Sequence, residues 1–335
     1  MSSSDASADT AEPDAAAGRP VGIALVGPTA SGKTALSLEL ARSLDGEVVS
    51  MDSRQVYRGM DIGTAKATAD EQAAAPHHGL DLADPNERFS AGRFAEYARA
   101  RIADICARDH VPILVGGTGF FLRALTHPLF DEPDLDPARR AELENVLRGF
   151  DDATLRSWLG VLDPLTAASL ERGGGRQRML RALEVALLTG HALSWWHRHA
   201  PALEKPVPLL VVVLELERAQ LDRRIDGRVH AMIDAGLVDE VRGLLRAGVP
   251  VDAPGLSATG YREVVDYIEG RVSLDQAIAQ IQLATRQYAR RQLTWFRNQI
   301  GPDALRLDAT RSGSELAAAI VQAWEERRGP VRPPE

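Results

Sequence analysis

The sequence predicts an α/β fold, a parallel sheet core covered by helices and carrying a phosphate-binding P-loop, with a helical insertion domain. Three observations carry that prediction. Apolar runs alternate with helix-periodic segments along the first part of the chain, the pattern of strand–helix–strand units with parallel strands. The first run leads directly into GPTASGKT, whose G-x-x-x-x-G-K-[ST] spacing puts a glycine turn at a helix start. Strand-like runs then disappear between residues 127 and 206 and resume with VPLLVVVLEL.

The elements follow in order. PVGIALVG is a short apolar strand, and Gly27, Pro28, Thr29, Ala30, Ser31, Gly32, Lys33 and Thr34 form the loop. An Ala/Leu-periodic helix runs on to about Ser43, and GEVVSMDS supplies a second strand with Asp52 at its carboxyl end. After a helical pattern from Ser90 to Arg108, VPILVGGTG is a third buried strand entering a glycine turn that holds Thr118, with a helix beyond it. Parallel sheets bind ligands at the carboxyl ends of their strands, so Asp52 and Thr118 are expected beside the loop. In the insertion, acidic turns and the Gly173-Gly174-Gly175 break separate helical stretches, among them RQRMLRALEVALLTG. After VPLLVVVLEL only helices are expected, divided by Gly236, Gly248 and Gly270. The division is therefore a disordered acidic tail at 1–20, a core at 21–126 and 207–325, and the insertion at 127–206.

The 335 residues, 44% of them hydrophobic, suffice for a core with an appendage. The one cysteine, Cys106, leaves no disulfide framework and no cysteine-based zinc site, which fits a reducing cytosol. Residues 1–20 lack the basic start and apolar run of a signal peptide, and no stretch has the length of a membrane span. The net charge of −8 argues against general nucleic-acid affinity, but a sum conceals local distribution.

The loop spacing turns successive N–H groups toward a polyphosphate, and Lys33 adds a compact charge. Lysine is scarce here, only Lys33, Lys66 and Lys205 among many arginines, so its use in the loop is chemical. A nucleotide hydrolase also needs an aspartate on a later strand to help hold Mg²⁺. The later strands end in LLVVVLEL and ILVGG, leaving Asp52 as the best-placed carboxylate, where a base for group transfer would sit. Thr118 is placed either to offer its hydroxyl to a bound phosphate or to cap the following helix.

Two basic segments are free of acids. Between Gln276 and Pro302 lies TRQYARRQLTWFRNQ, which as a helix gathers Ile278, Ile281, Thr285, Tyr288, Gln292 and Trp295 on one side and Arg286, Arg290 and Arg297 roughly opposite. Arg172, Arg176, Arg178 and Arg181 form the second group, inside the insertion. Each row alone reads equally as a solvated face; together, flanking a phosphate loop in an acidic chain, they suit a polyanion such as RNA. Trp195 and Trp196 read as closing the insertion against the core, with base stacking as the alternative.

GPTASGKT, MDSRQVYRGMDIGTAK, GGTGFFLRAL, RMLRALEVALLTG, RRIDGRVHAMIDAGLVDEV, TGYREVVDYIEG and TRQYARRQLTWFR, in this order, resemble the tRNA dimethylallyltransferases, also called tRNA isopentenyltransferases, of bacterial type. The resemblance implies transfer of a dimethylallyl group from dimethylallyl diphosphate to the exocyclic N6 amine of the adenosine 3′-adjacent to the anticodon. By it, residues Gly27 to Thr34 hold the diphosphate, Thr34 carries Mg²⁺, and Asp52 is the base. Lys33, Thr118 and Arg228 complete the diphosphate cradle. The tRNA anticodon stem-loop would meet Asp52, Ser53, Arg54, Gln55, Thr118 and Arg140, with Gln177, Arg178, Met179, Leu180 and Arg181. A cytoplasmic monomer acting without a membrane is expected. The chain departs from the family pattern at Ala67, where proline is usual, at Phe120 and Phe121, where a hydroxylated aromatic is common, and at Gly173 to Arg176. Three rivals remain beside it: an enzyme prenylating free adenylate, a small-molecule kinase, and a non-catalytic RNA-binding protein.

Overall fold

The computed structural model describes residues 18–127, 135–171, 175–199 and 205–328. The acidic tail up to residue 17, and Arg172, Gly173 and Gly174, lie outside the described residues. The chain divides into one unit of Met1–His127 with Pro206–Glu335 and a second of Pro128–Lys205.

The first unit begins β1 (Gly22–Val26), α1 (Lys33–Leu44), β2 (Gly46–Ser50), α2 (Ala69–Ala74), β3 (His77–His78), α3 (Ala91–Ala107), β4 (Val111–Gly116) and α4 (Gly119–Thr126). The second holds α5 (Pro137–Arg148), α6 (Asp152–Leu162), α7 (Pro164–Glu171), α8 (Arg176–Thr189) and α9 (Leu193–His199). The first unit resumes with β5 (Leu209–Glu215), α10 (Arg218–Asp234), α11 (Leu237–Arg246), α12 (Tyr261–Ile268), α13 (Leu274–Gln299), β6 (Leu305–Asp308) and α14 (Gly313–Arg328).

The strands form one sheet in the order β3-β2-β4-β1-β5-β6, with every neighbouring pair parallel. Because β1 is paired on both sides and covered by helices, all five of its residues are buried, which is why it reads as a continuous apolar run. Register decides where the site forms. Val26 lies opposite Gly116, and Ser50 opposite Val115, so the chain leaves β1, β2 and β4 at one edge of the sheet. The expectation of only helices after β5 is corrected by β6, and β3 was not foreseen either. Both strands are at sheet edges, and two and four residues give no recognisable periodicity.

The long segment after β2 lacks regular structure but is pinned to the core. Buried Lys66 donates to the Tyr57 carbonyl at 2.9 Å and pairs with Asp61 at 2.5 Å and Asp81 at 2.7 Å. The Glu240 carboxylate accepts the amides of Asp61 (2.9 Å), Ile62 (2.7 Å) and Gly63 (3.2 Å) and the hydroxyl of Tyr261 (2.5 Å). A Cβ on Gly63 would lie 2.4 Å from the Tyr261 ring, so the motifs DIGTAK and TGYRE are halves of one packing arrangement.

The second unit is a helical cluster around Leu147, Leu155, Leu159, Met179, Leu180, Ala182 and Leu183. Its α6 is capped by Asp151, which accepts from Thr154 N at 2.7 Å.

Candidate active site

The phosphate loop is a turn whose geometry its residues dictate. Ala30 and Gly32 take positive φ, 63° and 94°, which turns successive amides toward a common centre. Gly32 occupies the cap position of α1 without a side-chain hydrogen bond, so the cap residue leaves the first-turn amides open for an anion to use. A Cβ on Gly27 would stand 2.9 Å from the Leu214 carbonyl of β5, so the loop can leave β1 only through glycine.

Lys33 folds back over this loop, donating to the carbonyls of Pro28 at 2.7 Å and Gly27 at 3.0 Å. Burial, and secondly the Arg228 guanidinium, hold its ammonium down at about 7, with the Asp52 charge opposing them. Arg228 is itself lowered by burial against the opposing charge of Asp52, and it donates no hydrogen bond to any described residue. Two cations thus face one carboxylate across a cavity of about 730 Å³, within the range of small-molecule sites. Thr29 to Thr34, Asp52, Arg54, Gln55, Arg228 and Gln292 are among the residues lining it.

Asp52 lies two residues past β2 and fixes its own turn, Oδ1 accepting from Arg54 N at 2.8 Å. Arg54 reaches the Pro254 carbonyl at 3.0 Å, and Gln55 donates to Ala65 O at 2.9 Å while accepting from Ser50 Oγ at 2.7 Å. Thr118 occupies the cap position of α4 but makes no capping bond. Its Oγ1 instead accepts from Ser53 N at 3.1 Å and donates to Ser53 Oγ at 3.3 Å. The hydroxyl does not cap the helix and joins the loops after β2 and β4.

That junction is tight because glycines remove the side chains from it. A Cβ on Gly116 would fall 1.9 Å from the Met51 carbonyl, on Gly117 2.1 Å from Gln292 Nε2, and on Gly119 2.3 Å from the Trp295 ring. The GGTG motif therefore serves close approach as much as ligand binding.

Helices α10 and α13 supply further walls, of which only Arg228 was expected at the site from the resemblance. Arg224 and Arg228 come from α10, and Tyr288, Arg291 and Gln292 from α13. Burial first, and then the Asp52 charge, push the Tyr288 phenol up to about 12, so it is a neutral donor at physiological pH. A signal existed for Gln292: a polar residue on the apolar side of the helix, where it is 6% exposed. The arginine row needs correction. Arg286 is ion-paired with Asp226, and half-exposed Arg290 lies 3.9 Å from Asp222, both acids on α10, so Arg286 is engaged between the two helices. Arg297 stays exposed.

Within the second unit, Gln177 and Arg178 are exposed on the first turn of α8. Met179 and Leu180 are not at a surface: at 2% and 4% exposure their side chains are core, which corrects their placement among tRNA contacts. Arg140 donates to Glu184 at 3.0 Å and Arg181 lies 3.6 Å from the same carboxylate, itself 1% exposed. Both arginines therefore neutralise a buried acid. Arg176 ties α8 to Asp152 and to the Phe150 carbonyl at 2.6 Å. Trp195 is sandwiched between His191 at 4.3 Å and His199 at 4.5 Å, and Trp196 Nε1 donates to Thr189 at 3.2 Å.

Among the described residues no cluster of three or more histidine, cysteine, aspartate or glutamate side chains forms a metal site. The cavity does hold the Thr34 hydroxyl and the Asp52 carboxylate, hard oxygen donors of the kind Mg²⁺ takes together with water and phosphate oxygens. No described helix is long and apolar enough to cross a membrane.

The sequence profile described as IPP transferase matches residues 55–299, and one described as isopentenyl transferase matches 22–78. A tRNA dimethylallyltransferase of Roseiflexus sp. (strain RS-1) is 47% identical over 90% of this chain and 98% of its own. Among solved structures, the full-length tRNA isopentenylpyrophosphate transferase of Bacillus halodurans is 39% identical with a TM-score of 0.64, covering 91% of this chain and 97% of that one. A eukaryotic dimethylallyltransferase acting on tRNA is 27% identical with a TM-score of 0.76, covering 92% and 80%.

Proposed function

The chain belongs to the IPP transferase family, and from that premise we propose that it transfers a dimethylallyl group from dimethylallyl diphosphate to the N6 amine of the adenosine 3′-adjacent to the anticodon in tRNA, releasing diphosphate. It is a prenyltransferase, as its relatives are. The observation that carries the reading of the site is the phosphate loop, with Lys33 and Arg228, across one cavity from Asp52.

The chemistry follows from that arrangement. An exocyclic adenine amine is a weak nucleophile, so its attack on the allylic carbon needs a base for its proton and stabilisation of the leaving group. Asp52 takes the proton as the new C–N bond forms and the bond from that carbon to the diphosphate oxygen breaks. The electron pair departs with the diphosphate oxygen, whose charge the loop amides, Lys33 and Arg228 stabilise. Mg²⁺, held through Thr34 and the diphosphate, would neutralise further charge on the leaving group. Tyr288 and Arg291 line the acceptor's approach.

The anticodon loop, its adenine turned out of the stack, would meet Arg54 on the first unit and Gln177 and Arg178 on the second. Gln177 and Arg178 are exposed and Arg54 is half-buried, which supports this. Arg140, Arg181 and Arg286 of the expected basic surface are in internal ion pairs. We place the enzyme in the cytoplasm with its tRNA substrate and read it as a monomer.

The test is mass spectrometry of nucleosides from unmodified tRNA incubated with the protein, Mg²⁺ and dimethylallyl diphosphate, with AMP as a parallel acceptor. A dimethylallyl-adenosine in the tRNA alone is the expected result. Prenylated AMP with untouched tRNA, or no prenylated product, overturns the reading.

A further inference from the structure

We propose that Gln292 is a positioning residue that sets the distance between the diphosphate loop and the base. The inference rests on the reaction proposed above, and goes beyond it in assigning a role to a side chain outside the phosphate and base motifs.

Gln292 projects from α13 into the gap between two loops, 263 residues away in sequence from its first partner. Its Oε1 accepts from Thr29 N at 2.9 Å, and its Nε2 donates to Gly117 O at 2.9 Å. An amide N–H can only donate and a carbonyl can only accept, so one orientation of the carboxamide satisfies both. Glutamine offers both a donor and an acceptor at this length, where an ionised glutamate offers acceptors alone. The space is matched as well, since a Cβ on Gly117 would collide with the Gln292 nitrogen.

The bonds continue toward the base. Gly117 precedes Thr118, whose hydroxyl binds the Ser53 amide and hydroxyl, and Ser53 follows Asp52. A single series, Thr29 to Gln292 to Gly117, then Thr118 to Ser53, spans from the leaving-group loop to the residue that takes the proton. Thr29 lies in the loop whose amides must point at the diphosphate, and its own N–H is committed to Gln292. Gln292 thus fixes the turn from outside the anion site. Reacting groups held this way need no rearrangement when substrates arrive, and a displacement of about 1 Å costs on the order of 100-fold in rate.

The test compares wild type, Gln292→Met, Thr118→Val and the double variant in the full chain. The measurements are single-turnover rates at saturating tRNA and donor, donor KM, tRNA Kd and thermal melts. Gln292→Met keeps the shape and loses both hydrogen bonds, so the rate constant is expected to fall about 10- to 100-fold and donor KM to rise, while tRNA Kd holds. Because the two residues act in series, the double variant should be little worse than Gln292→Met alone. A Gln292→Met rate within a few fold of wild type overturns the proposal. So does a loss confined to the active fraction with the rate constant and KM unchanged, which is the signature of a merely structural residue. Fully additive losses in the double variant also count against it. Should Gln292→Met fail to fold, Gln292→Glu decides: its carboxylate still accepts from Thr29 but has no proton for Gly117, so a wild-type rate there overturns the proposal. Absence of prenyl transfer by wild type would instead strike the reaction itself.

Discussion

Lys33 makes donor binding a proton-linked event. In the donor-free site its ammonium titrates at about 7 because it is buried beside Arg228. A bound diphosphate brings negative charge to the same atom and returns the group toward its ordinary value near 10.4. Binding above pH 7 must therefore take up a proton. Affinity is fully present below about pH 7 and falls as pH rises through that value, approaching tenfold per unit. Between pH 7 and 9 this amounts to at most about 100-fold, or about 2.7 kcal/mol at 1.36 kcal/mol per unit. Titration calorimetry with dimethylallyl diphosphate and Mg²⁺, in buffers of different ionisation enthalpy, reads both the affinity and the proton taken up. Lys33→Arg stays charged across this range and should lose the dependence, while the donor's own titration is common to both proteins. A flat wild-type affinity from pH 7 to 9, or an equal slope in Lys33→Arg, refutes the reasoning.

Other outcomes follow from the same geometry. In the donor-free protein the Lys33 shift acts on folding with the opposite consequence: from pH about 7 to 10.5 the unfolded chain holds a proton that the folded chain lacks, so this group's contribution to stability rises with pH. Denaturant midpoints of wild type and Lys33→Met across that range check it, and the difference should shrink as the pH rises. Asp52→Asn should lower the single-turnover rate by about 10²- to 10⁴-fold, the usual range for a lost general base, and a rate within a few fold of wild type would remove Asp52 from that role. Arg178→Ala should weaken tRNA binding and flatten the log–log salt slope by roughly 0.7, measured by titration at several salt concentrations. Arg140→Ala should instead cost stability, on the order of 2 kcal/mol, because it strips a hydrogen bond from the buried Glu184 carboxylate; chemical denaturation reads the loss.

The arginines show why part of the site was legible in the sequence and part was not. A run of arginines without intervening acids states only that no partner is near in sequence. Asp226 and Asp222, brought up by α10, lie some 60 residues away along the chain and become partners only on folding. Met179 and Leu180 misled for a related reason: they stand between exposed Gln177 and Arg178 and half-buried Arg181 in sequence, but helical rotation turns their side chains into the unit's core.

What the sequence determined by itself is the machinery encoded at short range. The strand entering GPTASGKT, the amides and lysine of the loop, the GGTG turn and the aspartate after β2 depend on backbone preferences and spacings within a dozen residues, and these are written locally. The tertiary structure alone decided which groups share the cavity. Register across β1, β4 and β2 brought Gly27, Gly117 and Asp52 to one edge, and the packing of α10 and α13 set Arg228, expected there from the resemblance, in one cavity with Tyr288 and Gln292, which were not. It also made Thr118 a tie between the loops after β2 and β4. The physical reason is that a hydrogen bond or an ion pair is set by distance and direction in space, and for residues such as Thr29 and Gln292 only the folded chain fixes either.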